Sequence, residues 1–319
     1  MKEYKNYVNR HRRAFYGIVF SHIVILACFL TNPTYAQEVA HASTLPDLSG
    51  MAWVEDDLFI GIHDAKRNPE KYNWPRVSFI RLPKSELQGV TWRPLGLKFP
   101  GLEGKSSDME SASRIPGGKA FLFAESGQQG ERDRRIFYAV YSNGTLRIES
   151  HIVWPVDVKN VEATEVCRVG ERLVFLYAER ADSLPSTKLR WATLSLNPLK
   201  IGKFDEITYE GVDPVGKGAR PIVAMDVDSD GFIYIVSAYD PGSDDGPYRS
   251  VVWRIGKMIV GGDGNPQVEL RKNIRLANLD GLKVESIAVR ESDKDGKQIY
   301  VGTDDEHFGG IIRLLLDIQ

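Results

Sequence analysis

Five segments of the chain share one pattern, and their spacing is the feature that most limits the fold. Each has a short apolar strand, a turn, a second strongly apolar strand and a final acidic residue. The segments begin at residues 47, 108, 160, 222 and 283, so successive starts lie 61, 52, 62 and 61 residues apart. Runs rich in β-branched and aromatic residues fill the intervals, which gives about four strands per unit. The sequence therefore predicts a repeat protein made of strands.

A strand repeat of this length predicts an all-β fold, a β-propeller of five four-stranded blades. Six blades are the alternative if the longer spacings contain an irregular blade. Closing the ring protects strand edges that an open array would expose. The fifth unit lacks a fourth strand, and the segment EVAHASTLP from Glu38 is expected to supply it. Paired β-sandwiches are the other architecture, but they do not explain a spacing near 60 that recurs.

The first 36 residues differ from the repeat and predict a signal peptide at 1–36, followed by a propeller domain at 37–319. Five basic residues precede an apolar run, Ile18–Leu30, and Thr34-Tyr35-Ala36 ends the segment. This order is typical of secretory leaders and predicts a periplasmic or secreted protein. Without the leader the net charge changes from −2 to −6. A negative surface argues against nucleic acid, and against a membrane after cleavage, as partners.

The cysteine count excludes two kinds of stabilisation. Cys28 lies in the leader, so Cys167 is the single cysteine of the predicted mature chain. One cysteine cannot form an internal disulfide or a thiolate metal cluster. Its apolar context, VCRV, favours a core position.

Glutamate recurs at one register of the first strand in three units. The position holds Ser49, Glu110, Glu162, Val223 and Glu285 in the successive units. First strands line the channel of a propeller, so Glu110, Glu162 and Glu285 are expected to converge and to repel one another unless a cation lies between them. Oxygen-rich sites of this kind suit Ca²⁺ or Mg²⁺. The alternative is that the acids cap strand ends and face solvent.

A second set of acids ends the second strands. The residues are Asp64, Glu125, Glu179, Asp240 and Asp304. In hairpins with matched strands they return to the same face as the glutamates, where Asp64, Glu179 and Asp304 could contact a substrate hydroxyl or phosphate. His63 and Glu125 at this face are candidates for a general base, with a hydrogen-bonded rim position as the alternative for His63. The run from Asp226 to Gly231 is interpreted as a β-turn and not as a calcium loop, because Ser237 stands where the bidentate glutamate is required.

Two successive segments carry a family resemblance. Leu48-Ser49-Gly50, Asp64, Asp108-Met109-Glu110 and Glu125 resemble the "esterase-like activity of phytase" propeller family and its SdiA-regulated relatives. The resemblance implies hydrolysis of phosphate or carboxyl esters and Ca²⁺ in the channel. In that family a glycine follows the glutamate. Here Ser111, Ala163 and Ser286 stand at that position, so the sequence departs from the family where glycine would let the backbone come close to a ligand.

Two functions follow from these patterns. The first is a hydrolase of esters or phosphoesters that depends on a divalent cation, with Glu110, Glu162 and Glu285 as metal ligands and His63 or Glu125 as base. The second is a binding module without catalytic activity, which holds a protein or glycan partner of the envelope through loops such as RNPEKYNWP from Arg67 and DPGSDDGPY from Asp240. The sequence leaves open which of the two applies.

Overall fold

The computed structural model describes residues 44–65, 73–84, 88–101, 104–128, 134–243, 245–305 and 309–318. Residues 1–43 are outside these ranges, and the predicted signal peptide therefore lies outside the described residues. Within the described ranges no helix is long and apolar enough to cross a membrane.

Within the described residues, twenty antiparallel strands form five sheets in chain order. The first sheet consists of β1 (Gly50–Glu55), β2 (Leu58–Ile62), β3 (Val77–Arg81) and β4 (Thr91–Pro94). The second consists of β5 (Met109–Ile115), β6 (Ala120–Glu125), β7 (Arg135–Ser142) and β8 (Thr145–Val153). The third consists of β9 (Val161–Val169), β10 (Arg172–Glu179), β11 (Ser186–Leu196), β12 (Leu199–Ile201) and β13 (Asp205–Glu210).

The last two sheets follow the same meander. The fourth consists of β14 (Ala219–Val227), β15 (Phe232–Tyr239), β16 (Arg249–Val260) and β17 (Pro266–Asp280). The fifth consists of β18 (Val284–Ser292), β19 (Gly296–Thr303) and β20 (Ile312–Ile318). The prediction of an all-β propeller with five blades is confirmed, and the alternative of six is not needed.

The first strand of each sheet lies next to the first strands of its two neighbours. The contacts run from β1 to β5, β9, β14, β18 and back to β1. These five strands therefore surround the axis. The face where they begin is called here the upper mouth, and the face where they end is called the lower mouth.

The apolar core lies between adjacent blades rather than inside a single sheet. Five clusters of buried side chains each join two neighbouring sheets; Ile60 and Phe121, for example, share the cluster between the first and second blades. The cluster between the last and first blades contains Phe59 and Tyr300, whose ring centroids are 5.1 Å apart. Burial of apolar surface thus holds every blade to both neighbours, which is the main reason the ring is stable.

Residues before β1 help to close the ring. The Leu48 side chain is fully buried, and Cβ atoms placed on Gly61, Gly302 and Gly310 would lie within 3.2 Å of it. The Leu48 amide donates to the Thr303 carbonyl over 2.9 Å, and the Gly310 amide donates to the Leu45 carbonyl over 2.6 Å. Residues 38–43 of the expected fourth strand lie outside the described residues, and Thr44–Pro46 contact the fifth blade without forming a strand.

The run that resembles a calcium loop is a turn, as predicted. The Gly231 amide donates to the Asp228 carbonyl over 2.8 Å, and the Phe232 amide donates to the Asp228 carboxylate over 2.8 Å. The Asp228 carboxylate thus holds its own hairpin together.

Candidate functional site

Each of the three recurring glutamates occupies a β-bulge. On β5, Met109 pairs with Glu125 and Ser111 pairs with Ala124, so that Glu110 has no partner on β6. Glu162 is skipped in the same way between β9 and β10, and Glu285 between β18 and β19. A bulge turns the side chain of the extra residue out of the regular alternation. Three blades therefore use the same backbone irregularity to direct a carboxyl group towards the axis.

The three glutamates line one narrow cavity on the axis. Ser49, which stands at the same position of the first blade, lines it too. The cavity has a volume of about 10 Å³, which is near the minimum for a single water molecule. Just below the carboxyl groups, the Thr164 hydroxyl lies 2.8 Å from the hydroxyls of both Ser111 and Ser113. The upper mouth therefore has a floor, and any larger ligand must bind above it.

Buried and half-buried basic side chains form ion pairs with two of the glutamates. An Nη atom of Arg220 lies 3.0 Å from Glu285, and its other Nη atom lies 2.8 Å from Asp240. The Arg180 guanidinium lies 3.4 Å from Glu162. The Lys283 ammonium lies 3.0 Å from Asp304 and 3.5 Å from Glu285. The charge that was expected to need a metal ion is thus partly compensated by the protein itself.

The sequence analysis did not predict these cations, because the predicted site rested on the recurring acidic residues alone. A signal was present: Lys283 begins the fifth segment two residues before Glu285, and Arg180 directly follows Glu179. In the structure the carboxyl groups of Glu285 and Asp304 outweigh burial and raise the pKa of Lys283. The upper mouth is consequently a mixed network of charges and not a ring of acids alone.

Burial shifts the protonation of the same two glutamates. It raises the pKa of Glu162 to about 7; Arg180 lowers that pKa, while Asp182 and Asp108 raise it. Burial also raises the pKa of Glu285 well above its ordinary value, and a hydrogen bond with Asp304 adds to the rise. Such groups can carry a proton at neutral pH and give it up to a reacting oxygen.

Three other carboxyl groups form the best candidate for a metal site. Asp64, Asp108 and Glu110 each offer an oxygen atom, and these atoms all lie within 4.8 Å of one another. Oxygens on opposite sides of a Ca²⁺ ion are about 4.8 Å apart, since each Ca²⁺–oxygen distance is about 2.4 Å. The donor set therefore fits a hard divalent cation. Of the predicted metal ligands it includes Glu110, while Glu162 and Glu285 belong to the network with Arg180, Arg220 and Lys283.

The predicted substrate-binding acids are divided by the structure. Asp64 and Asp304 lie at the upper mouth, in contact with the groups described above. Glu179 points away from the axis: one of its oxygens lies 3.0 Å from Arg190 on β11, and the other accepts the Lys159 amide over 2.8 Å. Because Arg190 and Lys159 bind both oxygens of Glu179, its position does not support contact with a ligand on the axis.

His63 is held in the wall of the first blade. The ring is 1% exposed; Nδ1 lies 2.7 Å from the Asp47 carbonyl, so that Nδ1–H donates, and Nε2 accepts from the Ser78 hydroxyl over 2.9 Å. Burial lowers the pKa of His63 to about 4. The ring is neutral and both nitrogens are occupied, which favours the rim position over the role of base.

Glu125 is a structural anchor of the second blade. It is fully buried, and Arg135 binds it through Nη2–Oε1 at 2.6 Å and Nε–Oε2 at 2.9 Å. The Ser106 hydroxyl and the amides of Ser107 and Arg135 donate to the same carboxylate. A carboxylate with five donors is poorly placed to take a proton from a substrate.

Comparisons with known proteins add a likeness of fold. No protein-family model and no curated protein matches the chain. An exo-1,5-α-L-arabinanase from a bovine ruminal metagenomic library is 11% identical, with a TM-score of 0.49 over 86% of this chain and 95% of that one. A GH43 endo-arabinanase from Bacillus licheniformis is 10% identical, with a TM-score of 0.47 over 84% and 93%.

An α-L-arabinanase from Cellvibrio cellulosa is similar to the same degree. It is 11% identical, with a TM-score of 0.45 over 85% of this chain and 91% of that one. At these identities and scores the likeness is limited to the fold and assigns no activity to this chain.

Proposed function

We propose that this protein is an exported hydrolase that cleaves phosphate or carboxyl esters at the upper mouth with the help of a divalent cation, Ca²⁺ in the first instance. One observation supports this most strongly. Two groups of carboxyls adjoin at the same mouth: Asp64, Asp108 and Glu110 lie within coordinating distance of one another, and Glu162 and Glu285 are buried with raised pKa values. Buried carboxyls with raised pKa values act as proton donors in many active sites.

In this proposal each group of residues at the upper mouth has a separate chemical role. A cation held by Asp64, Asp108 and Glu110 would polarise the ester or phosphoryl oxygen. A water molecule would attack the ester carbon or the phosphorus and release a proton to solvent, while Glu162, with its pKa near 7, would donate a proton to the leaving alkoxide and regain one from solvent. Arg180 holds Glu162 in place, and Lys283 holds Glu285 in place. The hydrogen-bonded hydroxyl groups of Ser111 and Thr164 below them would keep the substrate in the upper mouth.

The test is an assay of residues 37–319 on p-nitrophenyl phosphate and p-nitrophenyl acetate, with Ca²⁺, with Mg²⁺ and with EDTA. We expect hydrolysis that requires one of the cations. Asp64→Asn and Asp108→Asn should abolish the rise in melting temperature that the cation produces, and Glu162→Gln should reduce turnover while retaining that rise. Glu149→Gln, an exposed carboxylate on β8, is the matched control. Full activity in EDTA, or in the combined Glu110, Glu162 and Glu285→Gln variant, contradicts the proposal.

A glycan-binding module is the second candidate, and an aromatic groove favours it. The groove has a volume of about 570 Å³ and is lined by Trp74, Trp92 and Phe99, with Trp74 39% exposed. Trp74 belongs to the loop segment predicted to hold a partner; residues 67–72 of that segment lie outside the described residues. Aromatic rings beside polar groups suit sugar rings, whose faces are apolar and whose edges are polar. Retention on immobilised polysaccharides that is lost in Trp74→Ala, without hydrolysis of any ester, would favour this function.

A further inference from the structure

A second cavity lies at the lower mouth, on the face opposite the proposed hydrolytic site. Its volume is about 310 Å³, against about 10 Å³ for the axial cavity above it. All five first strands line it. The charged or aromatic residues that these strands contribute near their ends are Trp53, Arg114, Glu165, Arg168, Asp226 and Glu291. The size is at the lower end of the range for small-molecule sites.

Arg114 supplies this cavity with hydrogen-bond donors that the described protein does not use. Its guanidinium carbon lies 4.2 Å from the centroid of the Trp53 ring, so that one face of the guanidinium is covered. No hydrogen bond or ion pair joins its nitrogens to another described residue, and Nε is buried. Burial lowers the pKa of Arg114, while Asp226, Glu291 and Glu165 raise it. A buried donor group normally has an acceptor, and a guanidinium is best matched by a carboxylate.

Glu165 and Asp226 line the same cavity; they offer acceptor oxygens that could take further hydrogen bonds, whereas Arg114 offers donors. Glu165 is 4% exposed; one oxygen accepts the Val166 amide over 2.8 Å, and the other has no partner among the described residues. Asp226 accepts the Val289 amide over 2.7 Å. Burial, and the charge of Asp226, raise the pKa of Glu165, and burial raises the pKa of Asp226 to about 7, so that a cationic group between the two carboxyls would favour their ionised forms. Neither carboxyl lies within 4.0 Å of the Arg114 nitrogens, so a cation and two acids border one cavity without forming an ion pair.

The other charged residues of the cavity wall, Arg168, Glu291 and Asp228, have partners among the described residues, and the Arg168 guanidinium donates to the Pro116 carbonyl over 3.3 Å. Glu291 accepts the Ser229 amide over 2.7 Å and lies 3.5 Å from Lys297. Asp228 lies 3.0 Å from the same lysine and accepts the Tyr234 hydroxyl over 3.0 Å. What the cavity lacks is an acceptor for Arg114 and a donor for Glu165 and Asp226. A simple anion would leave the acids unpaired, and a simple cation would leave Arg114 unpaired.

We infer that the lower cavity binds a small zwitterion of the amino-acid type, with its carboxylate on Arg114 and its ammonium group against Glu165 and Asp226. The inference does not depend on the proposed hydrolysis, because none of these residues lies at the upper mouth. One ligand of this class supplies both missing partners. Trp53, which stacks on Arg114, fixes the direction of the guanidinium before the ligand arrives, which reduces the entropy lost on binding.

Calorimetry on residues 37–319 tests this inference with glycine, L-serine and L-leucine as probes. Acetate, methylammonium and glycerol are the comparison compounds, because they carry only a carboxylate, only an ammonium group and only hydroxyl groups. We expect binding by at least one amino acid that exceeds binding of all three partial compounds. Arg114→Gln and Glu165→Gln should each weaken it by about tenfold to a hundredfold, the usual loss for a charge-assisted hydrogen bond. Arg147→Gln, an exposed arginine on β8, should leave it unchanged.

Arg114→Lys serves if Arg114→Gln does not fold, because it keeps the charge and removes the bidentate fork. It should retain weaker binding of the same amino acid, with an unchanged circular dichroism spectrum. The inference is wrong if acetate or glycerol binds as tightly as the amino acids, if no probe binds at millimolar concentrations, or if Arg114→Gln binds like the unmodified protein.

Discussion

Glu125 ends the second strand of the second blade and Glu162 lies near the start of the first strand of the third blade, and their surroundings give them different properties. Glu125 has a bidentate arginine and three further donors, whereas Glu162 shares Arg180 with Asp182 and lies beside the axis. A carboxylate satisfied by a fixed partner stabilises the fold. Burial raises the pKa of both carboxyls, but Glu162, which lies near other acids and has fewer donors, is the one placed to take part in proton transfer.

Substituting Glu125 tests its structural role. Glu125→Gln leaves Arg135 buried without a counter-charge, which should lower the free energy of unfolding by about 3–5 kcal/mol. Glu149→Gln, whose exposed partner Arg147 lies 3.6 Å away, should change it by less than about 0.5 kcal/mol. Urea unfolding measures both values. If Glu125 were the base, the folded Glu125→Gln protein would lose hydrolytic activity; we expect it to keep that activity at a temperature where it is folded.

His63 should make the protein sensitive to acid. Its pKa is about 4 in the folded protein and about 6.5 when unfolded. Between these values the unfolded chain binds more protons, so stability falls as the pH falls from 6.5 to 4. The full loss is about 3 kcal/mol, from about 1.4 kcal/mol for each pH unit.

The measurement is the difference in unfolding free energy between the unmodified protein and His63→Gln, taken from pH 7 to pH 4. This difference should shrink by that amount as the pH falls. A difference that does not vary with pH would show that His63 titrates normally in the folded state.

At the scale of single strands, the bulges carry the site. The same skip occurs at Glu110, Glu162 and Glu285, and it places each carboxyl at the axis where a regular strand would continue its alternation. The bulges also require close approach between first strands. A Cβ atom on Gly50 of β1 would lie 2.8 Å from Ser111 Cα and 3.0 Å from the Glu110 carbonyl.

Gly50→Ala should therefore push β1 away from the bulge on β5. The clash is with backbone atoms, which cannot move aside as a side chain could, so we expect a loss of about 1–3 kcal/mol in unfolding free energy. Gly118→Ala is the matched control, because nothing lies within 4 Å of the added carbon there. Equal stability of the two variants in urea would show that β1 and β5 have room to separate.

The strand pattern could be predicted from the sequence, because blade spacing and the register of the acids are local properties of the chain. The roles of individual acids could not. Arg135, which converts Glu125 into an anchor, stands ten residues further along at the start of β7, and no repeated feature marks it. The lower cavity was missed for a similar reason. Arg114, Glu165 and Asp226 each look like an ordinary polar residue near a turn, and only the ring brings them together.

At the scale of the whole molecule, the junction between the first and last blades controls stability. Leu48 fills the space that three glycines of these blades leave open. Leu48→Ala should lower the unfolding free energy by about 2–5 kcal/mol, since it removes a buried side chain and leaves a cavity. Leu184→Ala, at a side chain that is 57% exposed, should change it by less than about 0.5 kcal/mol. Similar melting temperatures for the two variants would show that the ring does not depend on this contact.

The narrow axis limits the movement of solutes between the upper and the lower mouth. Glu110 and Arg114 lie on one strand, β5, about 13 Å apart at about 3.3 Å per residue. Between them the passage has room for about one water molecule. A solute larger than water that binds at one mouth is therefore expected to leave by the same mouth, so that the two cavities fill and empty independently although the same five strands line both.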